Sequence, residues 1–289
     1  MESLKRIVAP VDFSERSIRA VRYAALLARR FQSELSLVHV FTPPPMEFGD
    51  AAGPDSVLSE LYRNRAAEVR KDLDAFLVDE LATLSPRRVV FEGDTARHLV
   101  DYAHQQTADL IIMGTHGYGP FRQFILGSTT AKVLHDADCP VWTGVHMEKA
   151  PMPPADGLRR ILCAVDLGPQ SRKTIEWAKG LQTAFGAALT LAHALPVIPD
   201  DPGLQAGDWM FRLRRNAEED LGRLQQETGA AGDVTVETGD PAPVICAAAS
   251  RLHADLVVIA RGSAAGVFGR LRTHAYAIIR QSPCPVVSV

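Results

Sequence analysis

An α/β fold of two tandem, doubly wound domains is expected from three observations: the chain is written twice, each copy alternates strands with helices, and a glycine-rich loop follows the fourth strand of the first copy. Residues 4–41 and 158–195 align without a gap. Leu4, Arg6, Ile7, Val11, Asp12, Ser17, Ala24, Phe31, Leu35, Leu37 and His39 each meet an identical residue in the second copy. The correspondence resumes at Gly93-Asp94 with Gly239-Asp240, at Ala108-Asp109-Leu110 with Ala254-Asp255-Leu256, and at Cys139-Pro140-Val141 with Cys284-Pro285-Val286. Repeats of about half the chain mean two homologous domains rather than a solenoid. The expected units are residues 1–146 and 157–289, joined by a Pro-rich, fairly stiff linker at 147–156.

Each element has a local reason. In the first unit, residues 6–11 form an apolar, β-branched strand. Ser14 is a candidate N-cap for a helix to about Phe31, with Ile18, Val21, Ala25 and Ala28 on one face. A second strand is expected over 35–41. Residues 42–56, with Pro43-Pro44-Pro45 and two glycines, read as a loop. An amphipathic pattern predicts a long helix over 57–84, and its mixed charges read as a solvated face. A strand at 88–91, a turn at Gly93-Asp94, a helix over 95–106 and a strand at 110–113 follow. A helix at 128–136 and a strand at 141–145 complete the unit. Strict alternation demands right-handed crossovers and a five-stranded parallel sheet covered on both faces. In the order 3-2-1-4-5, the first and fourth strands are neighbours at the switch point, where such sheets bind ligands.

Composition narrows the function classes. The 289 residues are 46% hydrophobic and 22% charged, with formal net charge −3. There is no basic excess to indicate nucleic acid or an anionic membrane as the main partner. No apolar run approaches the ~20 residues that span a bilayer. The N-terminus lacks an apolar segment followed by a cleavage site, so the chain is read as cytoplasmic. The four cysteines form no CxxC pair and read as small buried hydrophobes in a reducing compartment.

The chemistry concentrates after the fourth strand. Gly114, Gly117 and Gly127, followed by Ser128, give the spacing G-x2-G-x9-G-S. Glycines let the backbone approach an anion closely. Gly127-Ser128-Thr129-Thr130 stands at a helix start, where unpaired N–H groups and the helix dipole favour phosphate. Asp12, just past the first strand, offers a carboxylate to ribose, adenine or Mg2+. It also suits the simpler task of capping the helix near Ser14, and the two roles are compatible. Ser128 has an N-cap reading, and His116 one as a plain loop residue. His39 and His193 recur at one strand position, which points to a structural role.

With that loop, Asp12 and the repeat in place, the sequence resembles the universal stress proteins in tandem form, over essentially its whole length. The resemblance implies an adenine-nucleotide alpha hydrolase-like fold, and ATP as the ligand of members with an intact loop. It places Pro10, Val11 and Asp12 along the nucleoside and the main chain of Val40 against adenine. Met113, Gly114, His116 and Gly117 would line the ribose and phosphates, and Gly127, Ser128, Thr129 and Thr130 would hold the phosphates. It further implies that the two domains pack through their last strands as a pseudo-dimer. A homodimer of chains and an unnamed protein partner stay open.

The second copy departs from the motif. Counted back from Cys284, Arg272 replaces Gly127 and Thr273 replaces Ser128, while Asp166 is kept, Ala164 stands for Pro10 and Ala194 for Val40. One expectation is that this copy has lost ATP binding; the rival is that Arg261, Arg270 and Arg272 hold another anion. The loop is not G-x4-G-K-[ST], and no nucleophile–base pair is evident. A nucleotide-binding stress or signalling protein is therefore favoured, with slow hydrolysis or autophosphorylation at Ser128 or Thr129 as its limit. An ATP-using enzyme with residues 42–56 as a lid, and a scaffold without nucleotide, are the alternatives.

Overall fold

The computed structural model describes residues 4–41, 57–115, 126–145, 157–197, 206–261 and 273–289. The expected linker, the 42–56 loop, His116, Gly117, and Arg270 and Arg272 of the second copy's loop lie outside the described residues. In the first domain, strands β1 (Arg6–Pro10), β2 (Glu34–Phe41), β3 (Arg87–Glu92), β4 (Leu110–Met113) and β5 (Val141–Thr143) alternate with helices α1 (Glu15–Phe31), α2 (Val57–Ala75), α3 (Thr95–Gln105) and α4 (Ser128–Asp136). The second domain repeats this with β6 (Arg160–Ala164), α5 (Ser171–Phe185), β7 (Ala188–Leu195), α6 (Ala206–Thr228), β8 (Asp233–Thr238), α7 (Pro241–Arg251), β9 (Leu256–Ile259), α8 (Thr273–Gln281) and β10 (Val286–Ser288).

All ten strands form one sheet, in the order β3-β2-β1-β4-β5-β10-β9-β6-β7-β8. Each half is the expected parallel 3-2-1-4-5 array. The halves join by a single antiparallel pairing of Val141, Trp142 and Thr143 with Ser288, Val287 and Val286. Two buried hydroxyls reinforce it: Thr143 Oγ1 donates to the Val286 carbonyl at 3.1 Å, and Ser288 Oγ to the Val141 carbonyl at 3.3 Å.

Strands covered on both faces need apolar side chains on both, and β4 and β9 are buried at every position. One core lies under α1, α2, α5 and α6 and includes Val21, Leu73, Trp177 and Leu221; the other lies under α3, α4, α7 and α8 and includes Leu99, Leu134, Ile245 and Ile278. Both cores run through both domains. Trp142 is fully buried at the seam, 5.5 Å from the Tyr23 ring, and its indole N–H has no partner among the described residues. The turn at Gly93 needs glycine, with φ +126°, and Gly239 repeats it at +152°.

Most boundaries fall within a residue of the sequence reading; the ends of α2, β1 and β5 differ for identifiable reasons. Helix α2 stops at Ala75 instead of running to residue 84. The Arg88 guanidinium, reaching from β3, donates to the Leu73 and Phe76 carbonyls, and Leu77 takes a left-handed φ of 49°. The chain then turns while Leu81 remains buried, so the apolar pattern outlasts the helix. Strand β1 ends at Pro10, although the Val11 amide still donates to the Val38 carbonyl at 2.8 Å. Strand β5 ends at Thr143, where its partner β10 begins.

All four cysteines are free, and burial dominates their chemistry. It pushes the Cys139 and Cys246 thiols up to about 11, that of Cys284 up to about 12, and that of Cys163 higher still. At pH 8 each thiolate fraction is then below about one in a thousand. A disulfide-exchange reagent at pH 8 should leave the native chain essentially unlabelled and titrate all four thiols in denaturant; rapid stoichiometric labelling of the native chain would contradict this burial. Trp142→Ala should cost about 3–5 kcal/mol in urea unfolding, because it opens a cavity at the seam; a change under about 1 kcal/mol would mean the seam carries little of the fold.

Candidate functional site

The chain leaves β1 at Pro10 and bends into α1 through Asp12, Phe13 and Ser14. Phe13 holds a left-handed φ of 62°. Ser14 is the N-cap, its hydroxyl accepting from the Ser17 amide at 3.2 Å. Asp12 Oδ1 accepts from both the Ser14 amide, at 3.0 Å, and the Ser14 hydroxyl, at 2.5 Å. Asp12 is thus not itself the cap; it grips the cap residue in an Asx turn. His39 braces the same bend from β2, its Nδ1 lying 2.7 Å from the Val11 carbonyl. A carbonyl can only accept, so this nitrogen carries the proton. His193 repeats the contact on Val165 at 2.7 Å, so the recurrent histidine is structural.

Past β4, the loop is closed at its neck. The Gly127 amide donates to the Thr115 carbonyl at 2.9 Å, and Thr130 Oγ1 to the Gly114 carbonyl at 3.1 Å. Helix α4 begins at Ser128 with Gly127 as N-cap and no side-chain cap. That corrects the N-cap reading of Ser128, which is the first helical residue and exposed. An uncapped helix start leaves backbone N–H groups available to an anion.

These segments meet in one cleft of about 210 Å3 at the carboxyl ends of β1, β2 and β4. Pro10, Val11, Asp12, Val40, Met113, Gly114, Thr129 and Thr130 all line it. Gly127 and Ser128 lie at the neck and first turn beside it. The cleft also recruits residues that no motif marked. Val38 and Leu99 add apolar wall, and Thr95, Ser14 and Ser17 add hydroxyls. Arg16, partly buried in the first turn of α1, brings a positive charge into the same cleft. Its spacing from Asp12 and Ser14 was the available signal, but an arginine on an amphipathic helix reads as solvated. Beside the cleft, Lys132 of α4 reaches Asp94, the N-cap of α3, at 3.2 Å. The Arg97 amide and then Lys132 hold the Asp94 carboxyl below its ordinary range. Among the described residues no cluster of three metal-ligating side chains occurs.

The second domain has a cleft of about 200 Å3 at the equivalent place, with different chemistry. Asp166 is kept, its Oδ1 accepting from the Gly168 amide at 2.9 Å and Ser171 Oγ at 3.1 Å. Two hydroxyls are gone, with Pro241 for Thr95 and Ala275 for Thr130, and Ala260 replaces Gly114. His274 replaces Thr129 and lies 3.5 Å from Asp240. The rival anion reading fails for Arg261. Its guanidinium is buried and donates to the Ala137 and Cys139 carbonyls of the first domain, at 3.0 and 2.5 Å.

No helix among the described residues is long and apolar enough to cross a membrane. The chain is similar over 98% of its length, at 27% identity, to a universal stress protein of Mycolicibacterium smegmatis, covering 96% of that protein. One half of it, 47% of the chain, is 31% identical to universal stress protein MJ0531 of Methanocaldococcus jannaschii, covering 79% of that protein. Its fold matches the crystal structure of a universal stress protein from Archaeoglobus fulgidus with a TM-score of 0.69 at 22% identity, over 99% of this chain and 96% of that one. The universal stress protein family model matches residues 3–143 and again 157–289, so the chain belongs to that family, as a tandem of two family domains.

Proposed function

We propose that the first domain binds ATP and that the chain serves stress response or signalling as a nucleotide-responsive binding protein. The observation that carries this reading is the uncapped start of α4 opening beside a cleft that also holds Asp12 and Arg16. The three groups suit three parts of the ligand. The amides of Ser128, Thr129 and Thr130, with the Thr129 hydroxyl, face phosphate oxygens, while Arg16 offsets their charge. Asp12 takes the ribose hydroxyls or a magnesium ion that accompanies the phosphates. The apolar wall of Val38, Val40, Leu99 and Met113 receives the base, with the Val40 main chain reading its edge. His116 and Gly117 belong to the same loop and complete the phosphate contacts.

Binding without rapid turnover is the favoured mode. The described residues that line the cleft include no histidine or cysteine, and the sequence lacks the lysine of a P-loop. Bound ATP would then bias conformation or partner choice. Among the described residues, the second cleft has alanine and proline in place of two threonines, which offers a phosphate fewer hydroxyls.

Calorimetry on the purified chain should give one ATP per chain, retained without stoichiometric conversion to ADP over minutes. Arg16→Met should weaken ATP about tenfold while leaving adenosine unchanged, since a charged hydrogen bond is worth roughly 1.5–3 kcal/mol. Asp12→Ala should weaken both ligands, and Asp166→Ala neither. A wild-type chain that ignores millimolar ATP would end this reading; equal sensitivity to Asp12→Ala and Asp166→Ala would replace one site by two.

A further inference from the structure

We propose that the second domain acts as a one-way clamp on helix α4 of the first, with Tyr276 and Arg261 as positioning residues for the phosphate end of the cleft. The inference rests on the ATP reading for its ligand, but its geometry stands apart from it.

Helix α4 is held at both ends by the other domain. Immediately before its N-cap, the buried Leu126 amide donates to the Tyr276 hydroxyl at 3.0 Å, a contact 150 residues apart in sequence. The next amide, on Gly127, closes the loop neck on Thr115. Tyr276 therefore fixes the peptide from which the phosphate-facing amides follow. At the far end, Arg261 spans the carbonyls of Leu134, Ala137 and Cys139 at 3.4, 3.0 and 2.5 Å. These include acceptors that a helix C-terminus leaves without partners, and a positive charge there also suits the helix dipole. Arg261 is itself anchored, its amide donating to the Val289 carbonyl at 2.9 Å.

The device has no mirror image. Aligned through the Cys-Pro-Val repeats, Tyr276 corresponds to Ala131, which has no hydroxyl to offer the second domain. Aligned through β4 and β9, Arg261 corresponds to Thr115, which is fully buried and too short to span a helix end. The copy that lost the glycine motif thus carries both clamping side chains, and the copy that kept the motif receives them. Amides aimed before the ligand arrives bind it without an ordering cost.

The test uses the full chain with Tyr276→Phe, which keeps the ring and removes one hydroxyl. Affinities for ATP and for adenosine are measured by calorimetry, and exchange of the Leu126 amide by NMR or mass spectrometry. The clamp requires ATP to weaken about fivefold, as for one lost hydrogen bond, with adenosine affinity unchanged and Leu126 exchange accelerated. An equal loss for both ligands would show general loosening and overturn the proposal, as would an unchanged ATP affinity. If the wild-type chain binds no ATP, the ligand reading fails by itself; accelerated exchange at Leu126 then still establishes the clamp, and unaltered exchange refutes it. Arg261→Lys, which keeps the charge but loses the spread of donors, should give a smaller loss of the same ATP-selective kind. No loss there would remove Arg261 from the clamp.

Discussion

Three residue pairs across β5 and β10 determine what the rest of the molecule can do. Because this pairing is antiparallel, the carboxyl ends of the strands in one domain point the opposite way from those in the other. The ligand-binding rim of each domain therefore sits beside the closed rim of its neighbour. That is why Arg261, just beyond β9, finds the C-terminal carbonyls of α4.

On that frame the two clefts keep part of their lining and differ in the rest. The bend after the first strand keeps in both the histidine on the carbonyl and an aspartate accepting from a backbone amide and a serine hydroxyl, although Ser14 caps α1 and α5 has no side-chain cap. The differences run round the lining: Pro10 and Val40 become Ala164 and Ala194, Thr95 becomes Pro241, and Thr129 and Thr130 of α4 become His274 and Ala275 of α8. The shared groups maintain backbone geometry, which both domains need to fold.

Much of this was legible in the sequence because it depends on local pattern. Alternating apolar runs, the Gly93 turn, the glycine loop and the Cys-Pro-Val repeats each announce themselves within a few residues. What stayed hidden depends on contacts between distant segments. The periodic apolar positions after Ala75 predicted helix, yet a single arginine from β3 caps the carbonyls there and the chain turns. Arg16 went unmarked because nothing in the sequence of α1 shows that its first turn faces a cleft. Arg261 looked available to an anion because its carbonyl partners lie more than 120 residues away. Ser128 was weighed as a cap, but glycine already sits at that position and leaves the hydroxyl exposed.

The junction of the two halves also has a kinetic and thermodynamic meaning. Two separate chains meeting through β5-like edges would form that sheet to an extent set by their concentration. Here both edges belong to one polypeptide, so each encounters its partner at the fixed effective concentration imposed by the tether. The seam, the shared cores and the contacts on α4 then persist at any dilution, and the first domain never samples a state without its neighbour except by partial unfolding. Strand addition from another molecule is left with the outer strands β3 and β8. Both carry charged residues, including Arg87 and Glu92 on one and Asp233 and Glu237 on the other, which discourages edge-to-edge pairing.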